Sequence, residues 1–171
     1  KKVIIGCTTN PGDTEQVQQR LNMFNIQVAY NPEFIAQGEI VKGLEQSDIV
    51  LIGTEYTELG NNLIDIYKKI QTTDVNAYVM SPKAAELTKI GINCFLTTKI
   101  SYANMMGDIM IKSGLENEIG MVLSAIGGDT RVGKKYMNYG FGFGGPCLPR
   151  DNRALGHYAK NLGMELNLPL T

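Results

Sequence analysis

The feature that most constrains this chain is a change of rhythm near residue 81. Before it, four short apolar runs alternate with helix-patterned stretches. VIIGCT (Val3 to Thr8) reads as a buried strand, IQVAY as a second, DIVLIG (Asp48 to Gly53) as a third and AYVM as a fourth. Between them the spacing predicts a helix from about Thr14 to Phe24, with Val17, Leu21 and Phe24 on one face. A second is expected from Leu59 to Ile70, with Leu63, Ile66, Tyr67 and Ile70 at helical spacing. Strands alternating with helices argue for a parallel α/β sheet. After Ser81 no strand signal recurs. SPKAAELTK reads as a helix start, with Ser81 as cap and Pro82 in the first turn, where its missing N–H costs nothing. Helical character continues to about Ser113, and a further helix is expected from about Glu116 to Ala125. The chain is therefore expected to join an α/β part, residues 1–80, to a mainly helical part, residues 81–171, through a long spine helix shared between domains or subunits.

Composition excludes several classes of function. A net charge of −1 gives no reason to expect nucleic acid or an anionic membrane as partner. No apolar run approaches the roughly 20 residues of a transmembrane helix, and the opening KKVIIGCTTN turns polar too soon for a signal peptide. Cys7, Cys94 and Cys147 are odd in number and far apart, with no metal-like spacing. Free thiols in a reducing cytoplasm, and no metal, are the expectation. A nucleotide-binding α/β domain would carry G-x-G-x-x-G after its first strand. No such turn follows VIIGCT, VAY or VLIG, and no strand precedes GFGFGG, which is therefore not a phosphate loop.

Three sets of residues can carry chemistry. Cys147 follows GFGFGG and precedes PRDNRALGHYAKNLG, where Pro149 is placed to open a helix. A helix N-terminus and the neighbouring Arg150 both favour the reactive thiolate, and the glycines let backbone close on a ligand. A flexible hinge with an incidental cysteine is the competing reading. Lys89 and Asn93 lie four apart, on one helix face within a mostly apolar stretch. They can stabilise a developing alkoxide there, or simply be solvated. Glu33 follows Pro32 at a strand's C-terminal end, where open α/β sheets bind ligands, and can act as a general base or stand as a loop glutamate. His157, the only histidine, falls in a helical pattern that assigns it to packing or surface rather than to a base for Cys147.

Together these segments resemble the nucleotide-sugar dehydrogenases of the UDP-glucose and GDP-mannose dehydrogenase type. Four blocks carry the resemblance, in the family's order. CTTNPGDTE resembles S-T-V-P-P-G-T-T-E, and NPEFIAQG resembles N-P-E-F-L-x-E-G. AAELTKIGINCFLTTKISYANMM is similar to the helix S-E-L-x-K-x-x-x-N-x-F-L-A-x-K-I-S-x-x-N-E. GGDTRVGKKYMNYGFGFGGPCLPRD resembles G-x-D-x-R-I-G-x-x-F-L-x-x-G-x-G-F-G-G-x-C-F-P-K-D. The resemblance implies a partial Rossmann-like sheet followed by a helical dimerisation domain. It also implies oxidation of a sugar CH2OH to a carboxylate in two hydride transfers to NAD, and the NPEF form points to a UDP-glucose substrate.

Residue by residue, the resemblance implies that Cys147 forms the thiohemiacetal and thioester. Lys89 and Asn93 steady the oxygen anions, and Asp151 assists proton removal with the lysine and a water. Glu33 activates the hydrolytic water, and Thr8 holds a water nearby. Arg131 reaches the neighbouring subunit's sugar nucleotide. Phe34, Ile35, Tyr136, Phe143 and Gly144 line the nucleotide-sugar pocket, and Thr8, Cys147 and Arg150 adjoin the cofactor. Some positions depart from the pattern. Gln37 replaces a glutamate, Cys7 and Asn10 replace serine and proline, and Arg150 stands for lysine. Met105 or Met106 stands for the glutamate after the asparagine, and Asn138 lies near a position where some members have lysine.

The family's amino-terminal glycine-rich turn and its carboxy-terminal nucleotide-sugar domain are absent from these residues, so the expectation is a piece of a longer enzyme, inactive by itself. Sister activities on GDP-mannose or a UDP-N-acetylhexosamine are the nearest alternative. A catalytically silent dimerisation or sugar-nucleotide-binding module is another. An upstream strand followed by G-x-G-x-x-G in the gene product separates that module from an enzyme.

Overall fold

The computed structural model describes residues 1–34 and 38–164, so the expectations for Ile35 and Gln37 lie outside the described residues. Two compact units follow one another, Lys1–Lys89 and Ile90–Thr171. The change of rhythm at residue 81 marks the start of a helix, and the division of the units falls within that helix.

In the first unit, strands β1 (Lys2–Ile5), β2 (Gln27–Tyr30), β3 (Val50–Gly53) and β4 (Ala77–Met80) form one sheet in the order β1-β2-β3-β4. Helices α1 (Asp13–Leu21), α2 (Ile40–Glu45) and α3 (Thr57–Ile70) connect them. The side chains of β2 and β3 alternate between two apolar clusters, as a strand's period of two requires. Ala29, Val50 and Ile52 pack with Leu59 and Leu63 of α3, while Tyr30 and Leu51 pack with Ala85. Leu51 and Ile52 are fully buried, each stabilising the fold by about 1.5–3 kcal/mol.

The sheet is parallel-dominated as expected, and four details of the sequence reading need correction here. β1 pairs with β2 and β3 with β4 in parallel, but β2 meets β3 antiparallel, at Tyr30 and Gly53. A parallel neighbour requires a crossover, normally a helix antiparallel to the strands. α2 has six residues, about 9 Å at the helical rise, and is too short to carry the chain back along a strand. The first apolar run is not buried, since Val3 and Ile4 are 36% and 41% exposed. Within the described sheet β1 is an edge strand with a single neighbour. The face that α3 turns inward carries Leu59, Leu63 and Tyr67, leaving Ile66 and Ile70 exposed. The first helix ends at Leu21, and a 3-10 turn at Asn22–Phe24 leaves Phe24 exposed before Asn25 turns left-handed at φ 54°.

The spine helix, α4, spans Pro82–Lys112, about 46 Å of helix at 1.5 Å per residue. The Ser81 carbonyl accepts the Ala85 N–H at 3.0 Å, which puts Ser81 at its cap. In the second unit, a 3-10 turn (Glu116–Glu118) leads into α5 (Ile119–Gly128), and α6 runs over Leu148–Asn161 with Pro149 in its first turn. Ala103 of α4, Leu123 of α5 and Met137 form the core of this unit. A Cβ at Gly107 would lie 1.9 Å from the Tyr139 ring, so only glycine lets that ring dock on α4. The Tyr139 hydroxyl completes the contact by donating to Asp108 Oδ1 at 2.9 Å.

Candidate active site

In the first unit, the chain leaving β2 is fastened residue by residue. The Asn31 N–H donates to the Ile5 carbonyl at 2.9 Å, and its Nδ2 donates to the Leu51 carbonyl at 2.9 Å. Pro32 is buried and Glu33 exposed. Lys89 is only 8% exposed. Its Nζ donates to the Glu33 carbonyl at 2.5 Å and stands 4.1 Å from the centre of the Phe34 ring. A buried ammonium is costly unless partnered. Lys89 thus binds the strand-end turn through its backbone and an aromatic face, leaving the Glu33 carboxylate outward.

The loop after β1, which carries Thr8, is shaped by a residue that sequence reasoning passed over. Glu86 lies one helical turn before Lys89 and is fully buried. Its carboxylate accepts the Thr9 hydroxyl at 3.0 Å, the Gly12 N–H at 2.6 Å, the Thr14 N–H at 2.8 Å and the Thr14 hydroxyl at 2.6 Å. Two of these donors belong to the start of α1, so a carboxylate from another helix supplies the cap that Gly12 lacks. Beside this loop, the hydroxyl of fully buried Tyr30 approaches Thr9 without completing a hydrogen bond. Burial is the main cause that pushes its pKa up to about 12, with the charge of Glu86 adding to the shift.

In the second unit, Asn93 of α4 and Asp151 of α6 meet directly. Asn93 Nδ2 donates to Asp151 Oδ2 at 2.6 Å, and Arg150 Nε donates to Oδ1 at 2.7 Å. Asp151 is 1% exposed, so both of its oxygens are satisfied by N–H donors in a buried setting. One helical turn earlier, Cys147 caps α6. Its carbonyl accepts the Asp151 N–H at 2.9 Å and its residue is exposed. A neighbouring bond fixes the same helix pair, with the Thr97 hydroxyl donating to Asn152 Oδ1 at 3.0 Å. Cys94 is buried, and burial, with the Asp151 charge second, pushes its thiol up to about 11. Buried and protonated, it is an inert thiol.

The glycine segment before Cys147 is pinned at its start by Asn104, another residue missed from the sequence. Asn104 Oδ1 accepts the Gly140 N–H at 3.0 Å and Nδ2 donates to the Phe141 carbonyl at 2.9 Å. Gly140 and Gly145 take φ of 98° and 76°, the left-handed region that other residues rarely enter. Phe143, half-buried, and Gly142 face a groove of about 600 Å3 whose other wall includes Asn104 and Asp108; neither Cys147 nor Asp151 lines it. Gly144 is exposed. Tyr136 is exposed and holds φ at 67°, an uncommon and strained state for an aromatic residue.

Arg131 is 86% exposed at its side chain and is gripped by Asp129 through Nε at 3.0 Å and Nη2 at 2.7 Å. This fork holds the Asp129 carboxyl below its ordinary range and the guanidinium above its own. Lys99 Nζ fastens the next residues, donating to the Val132 and Gly133 carbonyls at 3.0 Å each. His157 is exposed and pairs with Asn161. Among the described residues, no group of three or more His, Cys, Asp or Glu side chains could hold a metal, and no helix is long and apolar enough to cross a membrane.

The structure therefore joins Lys89 to Glu33 and Phe34 in the first unit, and Asn93 to Asp151 and Arg150 in the second. A family model described as the UDP-glucose/GDP-mannose dehydrogenase family, central domain, matches residues 83–170, and one for that family's NAD binding domain matches residues 1–71. The UDP-glucose 6-dehydrogenase of Pseudomonas aeruginosa is 32% identical over 172 residues, covering 95% of this chain and 38% of that protein. Among solved structures, a UDP-glucose dehydrogenase from Pyrobaculum islandicum superposes with a TM-score of 0.86 at 34% identity, covering 96% of this chain and 38% of that one. GDP-mannose dehydrogenase of Pseudomonas aeruginosa, in a ternary complex, gives 0.65 at 28% identity, with 96% and 39% covered. The chain thus spans less than two-fifths of the length of each of these relatives.

Proposed function

The chain belongs to the UDP-glucose/GDP-mannose dehydrogenase family, and from that premise we propose that the protein carrying it oxidises UDP-glucose to UDP-glucuronate with NAD+. The observation that carries this reading is the arrangement on α6. An exposed thiol sits at the helix N-terminus, one turn before a buried carboxylate that Asn93 and Arg150 hold. Residues 1–80 are read as the later part of the NAD-binding domain and residues 81–171 as the central domain.

The residues present fit one flank of the cofactor. The loop carrying Thr8 and Thr9 leaves the carboxyl end of β1, where open α/β sheets bind ligands, and the buried Tyr30 hydroxyl beside it lacks a partner. Thr8, Cys147 and Arg150 are the residues assigned to adjoin NAD+ here; no G-x-G-x-x-G turn follows a strand within residues 1–171. When bound, NAD+ accepts the hydride lost in each oxidation.

The remaining steps fall to side chains. Asp151, with Lys89 and a water, assists removal of the proton of the sugar's primary hydroxyl as it becomes an aldehyde, and Lys89 and Asn93 donate hydrogen bonds to the oxygen as negative charge develops. The Cys147 sulfur then bonds to the aldehyde carbon, its thiol proton passing to the oxygen, to give a thiohemiacetal. Loss of a proton and a hydride leaves a thioester. Water adds to its carbonyl and gives a proton to Glu33; the C–S bond breaks and the sulfur regains a proton. Thr8 holds a water nearby. Phe34, Ile35, Tyr136, Phe143 and Gly144 are assigned to the nucleotide sugar, and the left-handed strain at Tyr136 supports a functional constraint there.

A homodimer through α4 belongs to the same reading. Phe95, Tyr102 and Ile109 recur on one face of that helix and are exposed, and Arg131 is assigned to the partner's sugar nucleotide. The three free thiols accord with a reducing cytoplasm. Oxidation of GDP-mannose is the second reading, favoured by the likeness to the GDP-mannose enzyme but at a lower TM-score than the UDP-glucose enzyme. The test is Cys147→Ser in the complete gene product. NADH production from UDP-glucose is expected to disappear, and undiminished turnover would overturn the nucleophile.

A further inference from the structure

Glu33 is assigned the last chemical step, yet nothing in its immediate sequence explains how an exposed loop carboxylate keeps its aim. Its neighbours in space do. Tyr67, in the last turns of α3, is half-buried, and its hydroxyl donates to Asn31 Oδ1 at 2.9 Å. Both N–H groups of Asn31 used in this turn are already committed, one to the Ile5 carbonyl of β1 and one to the Leu51 carbonyl of β3. The Tyr67 hydroxyl therefore occupies the acceptor end of a side chain whose donor end is anchored to the sheet. Only Pro32 separates Asn31 from Glu33. Pro32 is buried and has a fixed φ, so an orientation imposed on Asn31 is passed on to the next residue. From the other side, Lys89 holds the Glu33 carbonyl.

We propose that Tyr67 is a positioning residue for Glu33, acting through Asn31, and that it controls the step in which water cleaves the thioester. The inference rests on reading the protein as a nucleotide-sugar dehydrogenase. Tyr67, Glu33 and Ser47 share the wall of a cavity of about 20 Å3, room for a single water. The charge of Glu33 also reaches the Tyr67 hydroxyl. Burial first, and the Glu33 charge as a further cause, hold the Tyr67 hydroxyl above its ordinary pKa. The hydroxyl therefore remains a donor throughout the neutral range. Tyr67→Phe leaves the ring in the α3 packing and removes only the hydrogen bond. The aim of Glu33 then loosens while Cys147, Lys89 and Asp151 keep their own contacts.

The chemical consequence is confined to one step. Thiohemiacetal formation and both oxidations do not use Glu33. The slowed event is attack of water on the thioester carbon, with its proton going to the Glu33 carboxylate and the bond to Cys147 sulfur breaking. In the complete gene product, Tyr67→Phe is expected to lower kcat about five- to tenfold, the loss of one modest hydrogen bond, with KM little changed. During turnover a covalent sugar-nucleotide adduct should accumulate on Cys147, read by intact-mass spectrometry after acid quench. Asn31→Ser cuts the same chain at its next link and should accumulate the same adduct, which keeps the idea testable should Tyr67→Phe fold poorly. A residue that merely packs would lower the thermal midpoint without adduct. Active wild type with adduct-free variants overturns this inference alone. Wild type inactive on every nucleotide sugar overturns the dehydrogenase reading and this inference with it.

Discussion

The turn Asn31–Phe34 and the segment Gly140–Cys147 differ in what fastens them. The first is held by side chains and backbone from several elements: Asn31 on β1 and β3, Tyr67 from α3, and Lys89 from α4 under the Phe34 ring. The second is held at its start by a single side chain, Asn104, and a Cβ on Gly142 or Gly144 would meet open space. Neighbouring protein atoms therefore do not require glycine at those two positions; a ligand pressing on the backbone would. Under the proposed function, one segment keeps an acid–base group on station and the other shapes itself around a sugar nucleotide.

Lys89→Ala is expected to have the largest effect on this contrast. It removes the clamp on Glu33 and, under the proposed function, a donor to the developing oxyanion, and should lower kcat by about 10²–10³. A variant within threefold of wild type would dissolve the distinction. Asn104→Ala tests the opposite arm. Freeing Gly140 and Phe141 should raise KM for the nucleotide sugar about tenfold, as expected for losing two modest hydrogen bonds that order a binding segment. Its kcat and thermal midpoint should stay close to wild type, whereas a large fall in kcat with KM unchanged would make the two segments alike. The smallest perturbation is alkylation of the three thiols at about pH 8, where exposure and thiolate fraction decide reactivity. Cys7 and Cys147 are exposed and should label in the folded protein. Cys94, buried and raised to about 11, remains a protonated thiol well above that pH and should label only after denaturation.

The contrast also marks what was legible in the sequence. The strand runs and the 31-residue α4 follow from apolar spacing, capping and the absence of internal proline, all local signals. Cys147 at a helix start was legible for the same reason, because Pro149 announces α6. Which face of α3 turns inward was not legible, because Leu59, Leu63, Ile66 and Ile70 are equally apolar and only the sheet decides among them. The exposure of β1 was hidden as well, since burial of a strand depends on its neighbours and not on its own residues. The antiparallel meeting of β2 and β3 depends on a connection without regular periodicity.

Glu86, Asn104 and Tyr67 were missed for a common reason. Their partners lie 72 residues away at Thr14, 37 at Phe141 and 36 at Asn31. Spacing along a single element carries no trace of such bonds. A signal existed for Glu86 and Asn104, each a polar residue repeated within the resembling helix block, but the type of residue alone did not say what it would hold.

The stoichiometry of NADH formed per UDP-glucose consumed by the complete gene product tests the central claim most directly. Under the proposed function, an exposed thiol that retains the aldehyde until it becomes a thioester commits each sugar to both oxidations. The account therefore predicts two NADH per UDP-glucuronate, with no aldehyde released. A single NADH with free aldehyde, or no NADH from UDP-glucose while another substrate class is turned over, would contradict it.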